Sequence, residues 1–248
     1  MKEKIAISID KSILDKIDNK IDNSIIRSRS QAIEYFLMKG LKEESIDAAV
    51  ILIKGSQQEI LLKQIKGTSL IKHHLSFFSS FGIKNCFIVT QHTKNTNLLL
   101  NEISNSSINV QIIETESKGN AQALLSLKEK LPANFICMSG DVYNNFDLAK
   151  MIKKHLDSDK LATMGLMSSD ETSDYGTAVL DGDLIVDFEE KPKKAASHIV
   201  NAGIYIFKKE FFELIKSSLS LEKDLFPQIA KLKQLIGFFT HGEYQHLG

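Results

Sequence analysis

The sequence predicts an α/β domain, a mixed sheet with helices on both faces, preceded by a small strand-helix-helix unit. Three observations predict it. From Ser45 onward, short apolar runs alternate with amphipathic stretches of helical length. Several of those runs, such as 47–53 (DAAVILI) and 85–90 (NCFIVT), are apolar almost throughout, as in strands covered on both faces. The first 44 residues instead combine one run of period two with two stripes of helical period.

In the opening unit, 4–10 (KIAISID) alternates as a half-buried strand. Ile5, Ile7 and Ile9 share one face, and Lys4, Ala6 and Ser8 share the other. Asp10 suits a helix N-cap, and Ile13, Leu14, Ile17 and Ile21 follow at helical spacing. Asn23-Ser24 breaks that helix. Ser28 can cap a second one, in which Ala32, Ile33, Phe36, Leu37 and Leu41 form an apolar stripe. So small a unit cannot bury its own apolar face. A homodimer through the N-terminal strand and helices is expected, with room for a higher oligomer. The division predicted is 1–44 and 45–248.

In the larger domain, strands are predicted at 47–53, 85–90, 109–114 and 134–139, with helices near 69–81, 94–104 and 119–131. Further strands near 161–167, 175–181, 184–188 and 200–207 precede helical runs near 209–217 and 223–234.

Composition narrows the classes. The 248 residues include 31 Lys and Arg against 31 Asp and Glu, so no bulk charge draws the chain to a polyanion. Even the opening unit carries nine basic against eight acidic residues, a net of about +1. Cys86 and Cys137 sit within apolar runs and read as buried reduced thiols. No apolar stretch approaches membrane-spanning length and no charged-then-apolar leader opens the chain, so a cytoplasmic protein with no membrane partner is expected.

The strand-helix-helix pattern over 3–44 resembles the ribbon-helix-helix repressors. That resemblance implies a paired β-ribbon in the major groove of double-stranded DNA, read by Lys4, Ala6 and Ser8. It also implies a phosphate clamp at Ser28, Arg29 and Ser30.

Residues 47–248 resemble the sugar-1-phosphate nucleotidyltransferases, and so a Rossmann-like fold. The matching motifs keep their order. Ala48-Ala49-Val50-Ile51-Leu52 looks like the first strand, and 65–71 (IKGTSLI) opens a helix. Phe81-Gly82-Ile83-Lys84-Asn85 leads into the next strand, and 119–124 (GNAQAL) looks like the helix beside the base. Gly140-Asp141 ends a strand, and Tyr175-Gly176, Glu189-Glu190-Lys191-Pro192 and 200–205 (VNAGIY) look like sugar-pocket motifs. The resemblance implies a nucleotide or sugar-phosphate site of Gly55, Gly119, Asp141, Gly176, Glu190, Lys191, Asn201 and Gly203. It implies Mg²⁺ on Asp141 if the site is active. In such chemistry the protein mostly positions phosphates and neutralises their charge.

The segment after the first strand departs from that family. It keeps one glycine, Gly55, is several residues short, and places Glu59 near the expected arginine. Lys54, Lys63 and Lys66 remain to contact phosphate, and Lys54, Lys63 and Asp141 are the catalytic candidates. His246 stands at the second metal position, where Mg²⁺ favours oxygen. These departures predict a DNA-binding regulator with a disabled transferase domain that binds a nucleotide, sugar phosphate or nucleotide sugar as effector. A divergent active transferase and a ligand-free oligomerisation module are the alternatives.

Overall fold

The computed structural model describes residues 6–21, 26–43, 46–216, 218–239 and 242–248. The chain forms two compact units, 1–45 and 46–248.

The first unit holds α1 (Lys11–Asp18) and α2 (Arg29–Glu43). Asp10 caps α1, its carboxylate accepting from the Ser12 amide at 2.8 Å. Ser28 caps α2, its hydroxyl accepting from the Gln31 amide at 3.3 Å. Both caps match the sequence reading. Of the expected strand 4–10, the described residues 6–10 carry no ladder, and Ile7 is 56% exposed. Ala6 and Ser8 are exposed too, while Lys4 and Ile5 lie outside the described residues. Arg29 departs from its predicted role as well. Its guanidinium donates to both oxygens of Asp18, at 2.7 and 2.6 Å, so it is committed within the unit. The α2 stripe is only partly covered. Ala32 is buried, Phe36 and Leu37 are exposed, and the Leu41 side chain lies outside the described residues.

The second unit begins with β1 (Ala48–Leu52), whose alternate residues feed different cores. Ala48 and Val50 face one apolar cluster, Ala49 and Ile51 the other. A single 3-10 turn over Gly55–Gln57 leads into α3 (Gln58–Leu62). A small hairpin of β2 (Gln64–Ile65) and β3 (Thr68–Ser69) runs into α4 (Leu70–Ser80). Then come β4 (Asn85–Thr90), α5 (Thr96–Ile103), β5 (Asn109–Glu114), α6 (Asn120–Leu125) and β6 (Asn134–Ser139). Next are β7 (Val142–Asn144), α7 (Leu148–Ser158), β8 (Ala162–Ser168), β9 (Gly176–Asp181), β10 (Leu184–Glu190) and β11 (Ile199–Lys208). The chain ends in α8 (Phe226–Lys231), β12 (Leu235–Phe239) and β13 (Tyr244–His246).

Nine strands make one mixed sheet in the order β5-β4-β1-β6-β11-β8-β12-β10-β9. The first four are parallel, as their unbroken apolar runs predict, and β11 joins β6 antiparallel. Helix 119–131 is shorter than predicted, stopping at Leu125 in a series of turns. The 209–217 run is a 3-10 helix, Lys209–Leu214, and a π-turn over Leu221–Leu225 precedes α8. Cys86 and Cys137 are buried free thiols, one in each core cluster. Among the described residues, no helix is long and apolar enough to cross a membrane.

Candidate functional site

An open cleft of about 820 Å³ lies at the carboxyl ends of the parallel strands. Lys54 follows β1, Gln91 follows β4, Thr115 follows β5 and Asp141 follows β6, and all four line it. Ligands of open α/β sheets gather where strand ends and their connecting loops converge. The antiparallel side contributes Glu190, Lys191, Asn201 and Gly203, and the π-turn adds Glu222 and Lys223.

Most of the sequence-predicted residues meet here. Gly119, Asp141, Gly176, Glu190, Lys191, Asn201 and Gly203 line the one cleft, as does Lys54. Gly55 does not: it is buried, and its amide donates to the Gln91 side chain rather than standing free for a phosphate. Lys63 also turns elsewhere, donating to the Leu247 carbonyl at 3.1 Å. Lys66 forms an ion pair with Glu243. Glu59 is exposed on α3 and absent from the cleft lining, so it does not oppose a phosphate there.

The short segment after β1 is held by a buried amide network. Gln58 is fully buried, and its Nε2 donates to Thr90 Oγ1 at 3.0 Å and to the Gln91 carbonyl at 2.7 Å. Its Oε1 accepts from Thr93 Oγ1. This pins the 3-10 turn and α3 against the end of β4.

The opposite wall is equally tied down. Asn201 was expected to offer a donor and an acceptor to a sugar. Instead its Nδ2 donates to the Tyr205 hydroxyl at 2.8 Å and its Oδ1 accepts from the Gly203 amide at 2.9 Å. It shapes the wall, and Gly203 supplies the φ of +68° that the loop needs. Gly176 allows close packing, since a Cβ there would lie 2.3 Å from Phe188 Cζ. Gly119 has a similar reason: a Cβ would lie 2.0 Å from the Leu219 carbonyl oxygen, which accepts from the Ala121 amide. Asn120 then clamps the strap that follows, donating to both oxygens of Glu222 and accepting from the Leu221 amide at 2.9 Å.

Charge is mixed in the cleft. Burial, then the negative charge of Glu222, raises the Glu190 carboxyl above its ordinary value. Asp141 faces His246, Oδ2 to Nε2 at 3.5 Å. Burial pushes the Asp141 carboxyl up, but the hydrogen bond and charge of His246 outweigh it and the net shift is downward. The same hydrogen bond raises the His246 imidazole. Behind them, buried His74 donates from Nε2 to the Val142 carbonyl at 2.7 Å, and desolvation lowers its pKa to about 4. Four exposed lysines border the space: Lys54, Lys118, Lys191 and Lys223. None of the four is held in an ion-pair contact among the described residues. Lys118, Lys223 and Glu222 escape sequence reading because nothing local marks them. They join the site only when 118–120 and 219–223 come together.

The donor set does not fit the Mg²⁺ that the resemblance implies. Opposite Asp141 stands an imidazole nitrogen where that ion favours oxygen. Among the described residues, no group of three or more His, Cys, Asp or Glu side chains is arranged to hold a metal.

A mixed α/β sheet with a polar, lysine-bordered cleft at its strand ends defines an open α/β protein with its ligand site at the carboxyl ends of the strands. Comparison with known proteins places the chain within that class. The nucleotidyl transferase family model matches residues 36–240, and the chain belongs to that family. It is 33% identical over 140 residues to the mannose-1-phosphate guanylyltransferase catalytic subunit beta of Drosophila pseudoobscura pseudoobscura, covering 54% of this chain and 38% of that one. It is 24% identical over 173 residues to the bifunctional protein GlmU of Methanococcus aeolicus, covering 67% and 41%. The matches thus span about four-tenths of these curated relatives' length. Among solved structures, HddC from Yersinia pseudotuberculosis shares the fold with a TM-score of 0.68 at 19% identity, over 81% of this chain and 93% of that one. UDP-glucose pyrophosphorylase complexed with UDP-glucose does so with a TM-score of 0.65 at 18% identity, over 81% and 92%.

These relatives correct the expected function. Curated relatives of the chain include proteins named mannose-1-phosphate guanylyltransferases, so the reading as a DNA-binding regulator with a disabled enzyme domain is overturned.

Proposed function

We propose that the chain is a sugar-1-phosphate nucleotidyltransferase, with mannose 1-phosphate and GTP as the first substrate pair to try. The observation that carries this reading is the cleft, where four lysines that form no ion-pair contact among the described residues line a space with Glu190 and Glu222. An oxygen of the sugar phosphate attacks the α-phosphorus of the nucleoside triphosphate, and pyrophosphate leaves. The reacting groups are anionic, so the main tasks are to overcome their repulsion and hold them in line. Lys54 and Lys118, on the parallel-strand side, would meet the triphosphate. Lys191, beside Glu190, would meet the sugar phosphate, and the carboxylates would accept sugar hydroxyls. The open polar cleft speaks against a ligand-free oligomerisation module. Dimerisation through 1–44 remains part of the proposal, because α1 buries none of its side chains in the single chain.

The test is direct. Protein mixed with GTP and mannose 1-phosphate should release pyrophosphate and form GDP-mannose in equal amounts. If no pairing of a nucleoside triphosphate with a sugar 1-phosphate yields both products, the reading fails.

A further inference from the structure

Two lysines that the sequence marks for phosphate, Lys63 and Lys66, reach β13 instead. Lys63 stands just before β2, and its Nζ donates to the Leu247 carbonyl, just past the end of β13, at 3.1 Å. Lys66 occupies the β2–β3 turn and pairs with Glu243, just before β13. One hairpin therefore grips both ends of a three-residue strand.

The turn is built in an unusual way. Ile65 and Thr68 are ladder partners, so Lys66 and Gly67 make a two-residue loop, with φ of +49° and +88°. Such turns select asparagine, aspartate or glycine at the first position. A lysine in the left-handed region is strained, and such strain persists where the surroundings require it. Here the ammonium also lies 5.4 Å from the centre of the Tyr143 ring, a cation–π contact with β7. The hairpin is itself anchored, because His73 on α4 donates from Nε2 to the Ile65 carbonyl at 2.5 Å. Between hairpin and β13 lies a cavity of about 510 Å³, so close packing does not hold the strand on this side. Tyr244 lines that cavity and the cleft alike, and His246 lines the cleft.

We propose that the β2–β3 hairpin is a clasp. Lys63 and Lys66 are positioning residues: they hold β13, and so fix the edge of the cleft that Tyr244 and His246 form. The effect on turnover rests on the transfer reading above, and the effect on β13 does not.

Hydrogen exchange of the segment 242–248 in the full chain, read by mass spectrometry at low salt, tests the clasp. Lys66→Glu should speed exchange there about fivefold, the upper range for loss of an exposed ion pair. Lys63→Met, which removes one hydrogen bond, should speed it about threefold. Lys66→Glu combined with Glu243→Lys should return exchange to within about twofold of the unmodified protein. Lys84→Glu, at an exposed lysine elsewhere in the same unit, should leave it unchanged. In the pyrophosphate assay, Lys66→Glu should raise KM for the sugar phosphate about fivefold with kcat within about twofold, and the reversed pair should restore KM. Where the unmodified protein shows no turnover, the transfer reading fails and hydrogen exchange still decides the clasp. Should Lys66→Glu fail to fold in a thermal melt, Lys66→Gln takes its place. The proposal is overturned if 242–248 exchanges no faster without the Lys66 charge, if the reversed pair does not slow exchange again, or if KM is unmoved where turnover is measurable.

Discussion

The two walls of the cleft are built on different principles. The wall after β1 and β4 is a polar network closed on itself: Gln58 is fully buried and bonded to Thr90, Gln91 and Thr93. The wall from β10, β11 and the π-turn is also bonded within itself at Asn201 and Glu222, but it leaves Glu190, Lys191 and Lys223 lining the open space. The first wall spends its polar atoms on its own architecture, and the second adds to such bonds a set of charged groups that face the cleft. A rim that satisfies its own donors has few left for phosphate, so charge neutralisation on that side falls to Lys54 and Lys118.

Four experiments would break or sharpen this contrast. The largest expected effect is on catalysis. Lys54→Ala and Lys191→Ala should each slow pyrophosphate release by about a hundredfold, the usual cost of removing one group that stabilises transition-state charge. An equal, small effect at both would mean that neither wall meets phosphate. Next comes Gln58→Ala, which leaves buried hydroxyl and carbonyl groups without their donor. It should lower stability by about 2–4 kcal/mol in denaturant titration. A neutral result would show that the first wall does not depend on its network. Asn201→Ala, on the opposite wall, removes one donor and one acceptor from the Tyr205 and Gly203 contacts and should cost about 1–3 kcal/mol. The smallest effect belongs to Glu59→Gln, which should change stability by less than about 0.5 kcal/mol and leave turnover unaltered. A marked rise in turnover would return Glu59 to the phosphate path and contradict its exposed place on α3.

Much of the fold could be read from the sequence because strand burial leaves a local imprint. β1, β4, β5 and β6 each lie within a predicted run, and β1 falls one residue inside its run at either end. Elements whose signal is mixed were not predicted. α7 carries the lysine-rich segment KMIKKHLDS, and β12 follows α8 after a turn of only three residues. The opening run 4–10 has sound alternation, yet 6–10 form no ladder in one chain, because a strand pattern states a face and not a partner.

The site divides in the same way. Gly119, Gly176, Gly203, Asp141 and the Glu190-Lys191 pair were legible as motifs, and the cleft collects them. Their roles were less so. Asn201 and Gly55 looked ligand-facing and are bonded internally, because a side chain's partner is set by neighbours distant in sequence. Gly119 looked like a helix-start glycine, and its close neighbour is Leu219, a hundred residues on.

By itself the sequence determined the α/β class, the order of the buried strands, the two helix caps at Asp10 and Ser28, and the shortened segment after β1. Each depends on a periodicity or a spacing that the chain carries locally. Only the tertiary structure decided which polar groups face the cleft and which face one another. Hydrogen bonds and charge depend on distances of a few ångströms, and these arise only when 54–58 packs on 90–96, 119–120 on 219–222, and 141 on 246.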